Sequence, residues 1–190
     1  MSESGFQGKV YVITGAARGM GAETAKLLAS RGANVSICDV RDEDLAQVKT
    51  AIETVSSGKV MVTRVDVRDE NQVNDWIAAS VAKFGKLDGA VNVAGVLGKD
   101  TMHKTTDQIS TEDWRFVFDV NVTGMMFALR AAIPHIKDGG SIVNFASTSG
   151  QMGHAMNGAY CASKHAVIGL SRCVAKELGP KGITVNVLSP

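Results

Sequence analysis

Short β-rich apolar runs alternate with helix-length segments along the chain, and no other feature limits the possible folds as strongly. The apolar runs cover 9–14, 33–39, 60–66, 87–95, 141–147 and 182–188. Segments of helical composition lie between them, over 22–31, 42–55, 70–84, 111 to about 136, and 157 to about 178. Parallel strands need crossover connections, and the crossover helices land on the sheet faces. The expected fold class is therefore α/β, a doubly wound parallel sheet with helices on both faces. At 190 residues the chain has the length of one domain, and residues 1–190 read as a single unit. In the 70–84 helix, Val73, Trp76, Ile77, Ala78 and Val81 are expected inward. The long segment after 110 takes Thr111 as its N-cap and carries Trp114, Phe118, Asn121, Met125, Phe127, Leu129 and Ile133.

In such a sheet, ligands bind beyond the carboxyl ends of the strands. The first strand runs directly into Gly15-Ala-Ala-Arg18-Gly19-Met20-Gly21, and a helix follows. Strand, glycine turn and helix in that order build a Rossmann-like cradle: glycines let the backbone approach a pyrophosphate, and the helix N-terminus offers it N–H groups. The spacing Gly-x-x-x-Gly-x-Gly differs from the commoner Gly-x-Gly-x-x-Gly, and a glycine turn alone could merely join two elements. The second strand ends in Asp39, where a carboxylate can accept from the 2′-hydroxyl of NAD and repels the 2′-phosphate of NADP. Arg18 and Arg41 are near enough in sequence to reach a phosphate, which keeps NADP open. Asp66, Asn92 and Gly95 fall at further strand ends.

Tyr160 and Lys164 are four apart in a segment of helical period, so both project from one helix face. An ammonium beside a phenol favours the phenolate, which makes Tyr160 a proton donor or acceptor near neutral pH. Ser147 ends the fifth strand, where it serves as a cap or as a hydroxyl donor. Asn121 is a polar residue in an apolar helix; it caps a backbone kink, or it orders water or backbone.

A formal net charge of +1 without a basic run argues against nucleic acid and anionic membranes as partners. The sequence has no run of roughly 20 consecutive apolar residues. The start lacks the pattern of a signal peptide. Cys38, Cys161 and Cys173 have no metal-ligand spacing and read as reduced thiols of a cytoplasmic protein. No metal site is expected.

Taken together, Thr14-Gly15-Ala-Ala-Arg-Gly19-Met-Gly21, Asp66-Val67, Asn92-Val-Ala94-Gly95, Asn121, Ser147 and Tyr160-x-x-x-Lys164 resemble the motifs of the short-chain dehydrogenase/reductase family, in its order and spacing. The family's usual Asn-Asn-Ala-Gly is Asn-Val-Ala-Gly here. The resemblance implies an NAD(P)-dependent oxidoreductase that interconverts a secondary alcohol and a ketone by hydride transfer. It implies Tyr160 as general acid/base, Ser147 as a hydrogen-bond donor to the same oxygen, and Lys164 on the tyrosine and the nicotinamide ribose. Asn121 would hold a water of a proton relay. Gly15, Gly19, Met20 and Gly21 would lie against the cofactor, Asp39 against the adenosine ribose, Asp66 and Val67 near adenine, and Asn92, Ala94 and Gly95 along the adenosine side. NAD is the expected cofactor, with NADP open. The partners implied are a small alcohol or ketone and further copies of the chain, as a homodimer or homotetramer through the helices over 111–136 and 157–178.

The family continues past a sixth strand with a substrate lid and a last strand, which this sequence does not include. The expectation is a chain incomplete at its C-terminus, with an open sheet edge. The alternative reading is accordingly a dinucleotide-binding or dimerising module without turnover. Val96, Leu97, Gln151, Met152, His154 and Met156 are expected to rim a moderately apolar pocket.

Overall fold

A computed structural model describes residues 5–56 and 58–190. It contains a six-stranded parallel sheet in the order β3-β2-β1-β4-β5-β6. The strands are β1 (Val10–Thr14), β2 (Asn34–Asp39), β3 (Val60–Arg64), β4 (Leu87–Asn92), β5 (Ile136–Phe145) and β6 (Thr184–Leu188). The chain winds outward from β1 to β3, then returns across β1 to lay down β4. Between the carboxyl ends of β1 and β4 the winding reverses, and a crevice opens there. Thr14 Oγ1 spans it by accepting the Val93 and Ala94 N–H groups at 3.2 and 3.3 Å.

Alternate residues of each strand feed two cores. On one face Val10, Val12, Ala90 and Ile142 meet α3 (Glu70–Phe84) and the later helices α5 (Gly124–Ala132) and α6 (Gly158–Leu178). On the other, Ile13, Val35, Ile37 and Val91 pack under α1 (Gly19–Ser30) and α2 (Asp42–Val55). Every residue of β1 and β4 is buried, as strands covered on both faces require.

Four local expectations need correction. In α3 the buried set is Val73, Trp76, Ile77 and Ser80, and Ala78 is exposed. Positions 73, 76, 77 and 80 make one helical stripe, and 78 points away from it. Ser80 is accommodated because its hydroxyl meets Ser36 Oγ at 2.7 Å, while Trp76 Nε1 donates to Ser36 at 2.9 Å. The cap of α4 (Thr111–Phe118) is Ser110, whose Oγ accepts the Asp113 N–H at 3.2 Å; Thr111 is already helical. The long helix is not uniform, since a π-helical turn at Asp119–Thr123 separates α4 from α5. β5 begins at Ile136, before the expected 141, and its register with β4 shifts between Leu87 and Gly89.

The stretch Thr111–His135 is apolar and long enough to cross a bilayer by composition alone, although it holds no unbroken apolar run of that length. Here Val117, Val120, Met125, Ala128, Leu129 and Ala132 are buried within the fold.

Candidate active site

The sixth helix carries the site. Its buried stripe of Lys164, Val167, Ser171, Val174 and Leu178 seats it on β5, and Tyr160 lies one turn before Lys164. The helical spacing brings the Lys164 ammonium to 5.7 Å from the centre of the Tyr160 ring. Lys164 is 4% exposed and donates to the Phe145 carbonyl at 2.9 Å. Burial pulls its pKa from 10.5 down to about 8. Ser147, two residues beyond β5, accepts the Ser149 N–H at 3.2 Å and faces the same space.

A cavity of about 330 Å³ unites Ser147, Tyr160 and Lys164 with Met20, Gly95, Val96 and Leu97. A phenol, a hydroxyl and an ammonium around one cavity can stabilise charge on a substrate oxygen and exchange a proton with it. Asn121 stands one layer behind, fully buried. Its Oδ1 accepts the Val96 N–H at 2.8 Å, and its Nδ2 donates to the Val96 carbonyl at 2.9 Å and to Ser163 Oγ at 3.0 Å. Of the two sequence alternatives for Asn121, the side chain orders backbone, and it does so from within the π-helical turn. Gly95 allows this contact, because a Cβ there would come within 3.3 Å of both Asn121 Oδ1 and Lys164 Nζ.

The glycine turn lies at the carboxyl end of β1. Gly15 adopts φ +66°, and a Cβ on it would stand 2.6 Å from the Ala94 nitrogen, so only glycine permits the two loops to touch. Gly21 is buried against the Gly15 carbonyl, Gly19 is exposed, and Arg18 is exposed at the N-cap of α1 without a side-chain capping bond. A Cβ on Gly19 would meet nothing within 4 Å, so open space adjoins the first turn of α1. Asp39 reaches this turn: its carboxylate accepts the Ala17 and Arg41 N–H groups, each at 3.2 Å. Arg41 itself pairs with Asp44 at 3.6 Å.

The other residues expected at the site have partners within the protein. The Asp66 carboxylate is held by Arg68 through several hydrogen bonds, which lower its pKa below the usual range. Val67 is buried against Gly124. Asn92 is buried and donates to Asn144 Oδ1 at 2.8 Å, while Ala94 and Gly95 form the loop beside Gly15 and Lys164. Among the residues expected on the rim, Val96 and Leu97 line the cavity. Gln151 lines a separate space beside α6, and Met152, His154 and Met156 are exposed and line neither. Ser163 and Asn144 escaped the sequence reading, although each is a polar residue interrupting an apolar face, the same signal that drew attention to Asn121.

Residues 9–190 match the family model for short chain dehydrogenases. A short-chain dehydrogenase/reductase of Botryotinia fuckeliana is 43% identical over 190 residues, spanning 100% of this chain and 74% of that protein. The crystal structure of levodione reductase superposes with a TM-score of 0.92 at 36% identity, over 97% of this chain and 72% of its own. Carveol dehydrogenase from Mycobacterium avium in complex with NAD superposes with a TM-score of 0.91 at 35% identity, over 97% and 70%. The matched model, these identities and the doubly wound sheet agree, and the chain belongs to the short chain dehydrogenase family of oxidoreductases.

Proposed function

We propose that the chain, as one dinucleotide-binding unit over residues 1–190, is an NAD-dependent dehydrogenase that interconverts a secondary alcohol and a ketone. The observation that carries this reading is the convergence of Ser147, Tyr160 and Lys164 on one cavity beside the glycine turn. The residues fit a dinucleotide: α1 opens its uncapped first turn to free space, and the Asp39 carboxylate sits against the turn where a ribose hydroxyl could donate to it. Gly15, Arg18, Gly19, Met20, Gly21 and Asp39 would hold the adenosine diphosphate part. Asp66, Val67, Asn92, Ala94 and Gly95 would shape the adenosine side, the buried ones through backbone and packing. NAD-bound carveol dehydrogenase among the similar structures supports this cofactor, and Asp39 favours it over NADP.

When bound, NAD accepts or supplies the hydride. Tyr160 removes the hydroxyl proton of the alcohol or returns it to the ketone. Ser147 donates a hydrogen bond to the same oxygen, lowering the cost of charge on it. Lys164, charged and largely stripped of water, holds a positive field across the Tyr160 ring. Asn121 keeps the loop at Val96 in place, and the water relay behind Lys164 would, by the family resemblance, run past this residue. Levodione and carveol give two of the similar enzymes their names, and the Val96 and Leu97 walls here suit a moderately apolar alcohol or ketone. Homodimers or homotetramers and a cytoplasmic location belong to the same reading. The exposed Trp114, stacked on Phe118 at 4.7 Å, supports a helical contact between copies.

The test is NADH formation at 340 nm from a panel of secondary alcohols. Turnover in the wild type and a loss of about a thousandfold or more in Tyr160→Phe is the expected result, of the order that loss of a general acid/base brings. Cofactor binding without turnover would leave a dinucleotide-binding module instead.

A further inference from the structure

Two buried relays of the same chemistry fasten α6. In the first, Asn121 Nδ2 donates to Ser163 Oγ at 3.0 Å, and Ser163 Oγ donates to the Tyr160 carbonyl at 2.7 Å. In the second, Asn92 Nδ2 donates to Asn144 Oδ1 at 2.8 Å, Asn144 Nδ2 to Ser171 Oγ at 2.9 Å, and Ser171 Oγ to the Val167 carbonyl at 2.7 Å. Ser171 has one proton and places it on Val167, so it must accept from Asn144, which fixes the orientation of the Asn144 amide. Asn144 and Ser163 are 0% exposed and Ser171 is 1% exposed, so water cannot substitute for any of these bonds.

The second relay ties three elements whose relative position sets the site. Asn92 ends β4 and begins the loop that touches Gly15 and Lys164. Asn144 precedes Phe145, whose carbonyl receives the Lys164 ammonium. Ser171 lies two turns beyond Lys164 on the same buried stripe of α6. We propose that Asn144 and Ser171 are positioning residues that set the axial and rotational placement of α6, and with it the Tyr160–Lys164 pair, relative to the ends of β4 and β5. Apolar packing alone tolerates small slides of a helix on a sheet, whereas a directional hydrogen-bond chain specifies one register. This inference rests on the dehydrogenase reading for its kinetic consequence.

The test compares Ser171→Ala, which leaves the Asn144 amide without its acceptor, with Ser171→Thr, which retains the hydroxyl. Folding is monitored by circular dichroism, and two readouts follow: kcat against KM for NAD, and titration of the Lys164 ammonium by nitrogen-15 NMR. The expected result is a folded Ser171→Ala with kcat lowered about tenfold or more, a nearly unchanged KM and a displaced Lys164 titration, all restored in Ser171→Thr. Should Ser171→Ala not fold, Ser171→Cys, which keeps the side-chain volume but offers Asn144 a much weaker acceptor, is read in the same way. Wild-type kcat and wild-type Lys164 titration in a folded variant would overturn the proposal. A wild type without turnover would overturn the dehydrogenase reading alone, and the Lys164 titration would then decide the positioning role.

Discussion

Lys164 holds an ammonium where only 4% of the residue meets solvent, and its visible compensation is the Phe145 carbonyl at 2.9 Å. Burial depresses its pKa to about 8 from 10.5, so between those values the unfolded chain binds more protons than the folded one. Stability without cofactor should therefore rise as pH climbs from about 8 to 10.5, and the burial cost is fully present below about 8. That cost is about 3 kcal/mol, against about 1 kcal/mol for the hydrogen bond lost on removing the amine. Lys164→Met should accordingly melt higher than the wild type at pH 7.5 and lose that advantage by pH 10.5. A lower melting temperature at pH 7.5 would contradict the account. The Tyr160–Lys164 spacing was legible in the sequence because i and i+4 meet on any helix. The carbonyl that receives the lysine was not, since Phe145 is brought there by a strand distant in sequence.

At the scale of elements, α3 illustrates how local chemistry sets a boundary. Asp69 accepts the Asn71 and Gln72 N–H groups at 3.0 and 3.2 Å, and the Gln72 side chain returns to it at 2.9 Å. Removing the cap should lower stability by about 1 kcal/mol, so Asp69→Ala should unfold at lower urea than the wild type with the same slope. An unchanged midpoint would mean that tertiary packing of Trp76 and Ile77 already holds the first turn. The π-helical turn at Asp119–Thr123 had no such local signal. Asn121 was visible as an anomaly, but the extra residue in the turn is retained because its side chain bonds Val96 and Ser163, both distant in sequence.

For the whole molecule, the sheet is anchored at the end opposite the site by Asp88. It is 3% exposed, accepts the Val10 N–H at 2.9 Å and pairs with Lys137 and Lys86, joining β1, β4 and the start of β5. Burial alone would raise its pKa, but Lys137, the Val10 N–H and Lys86 together bring it below the usual value. A carboxylate lowered on folding stabilises the fold above its unfolded pKa of about 4, and this contribution is lost as pH falls through the folded value. Asp88→Asn should cost about 2 kcal/mol at pH 7, and the difference from the wild type should shrink in melts below pH 4. A difference independent of pH would mean that shape, not charge, matters at this position.

The sequence by itself determined the class of fold, because strand and helix periodicities and glycine turns depend on neighbours within a few residues. It also placed Gly15, Asp39, Ser147, Tyr160 and Lys164 near strand ends or on one helix face, for the same reason. Only the tertiary structure decided that Asn92 turns inward to Asn144, and that Ser163 and Ser171 fasten α6. Those outcomes depend on which groups meet across 27 to 52 residues of chain. A buried polar side chain takes the partner that the packed fold supplies, and no local pattern names that partner in advance.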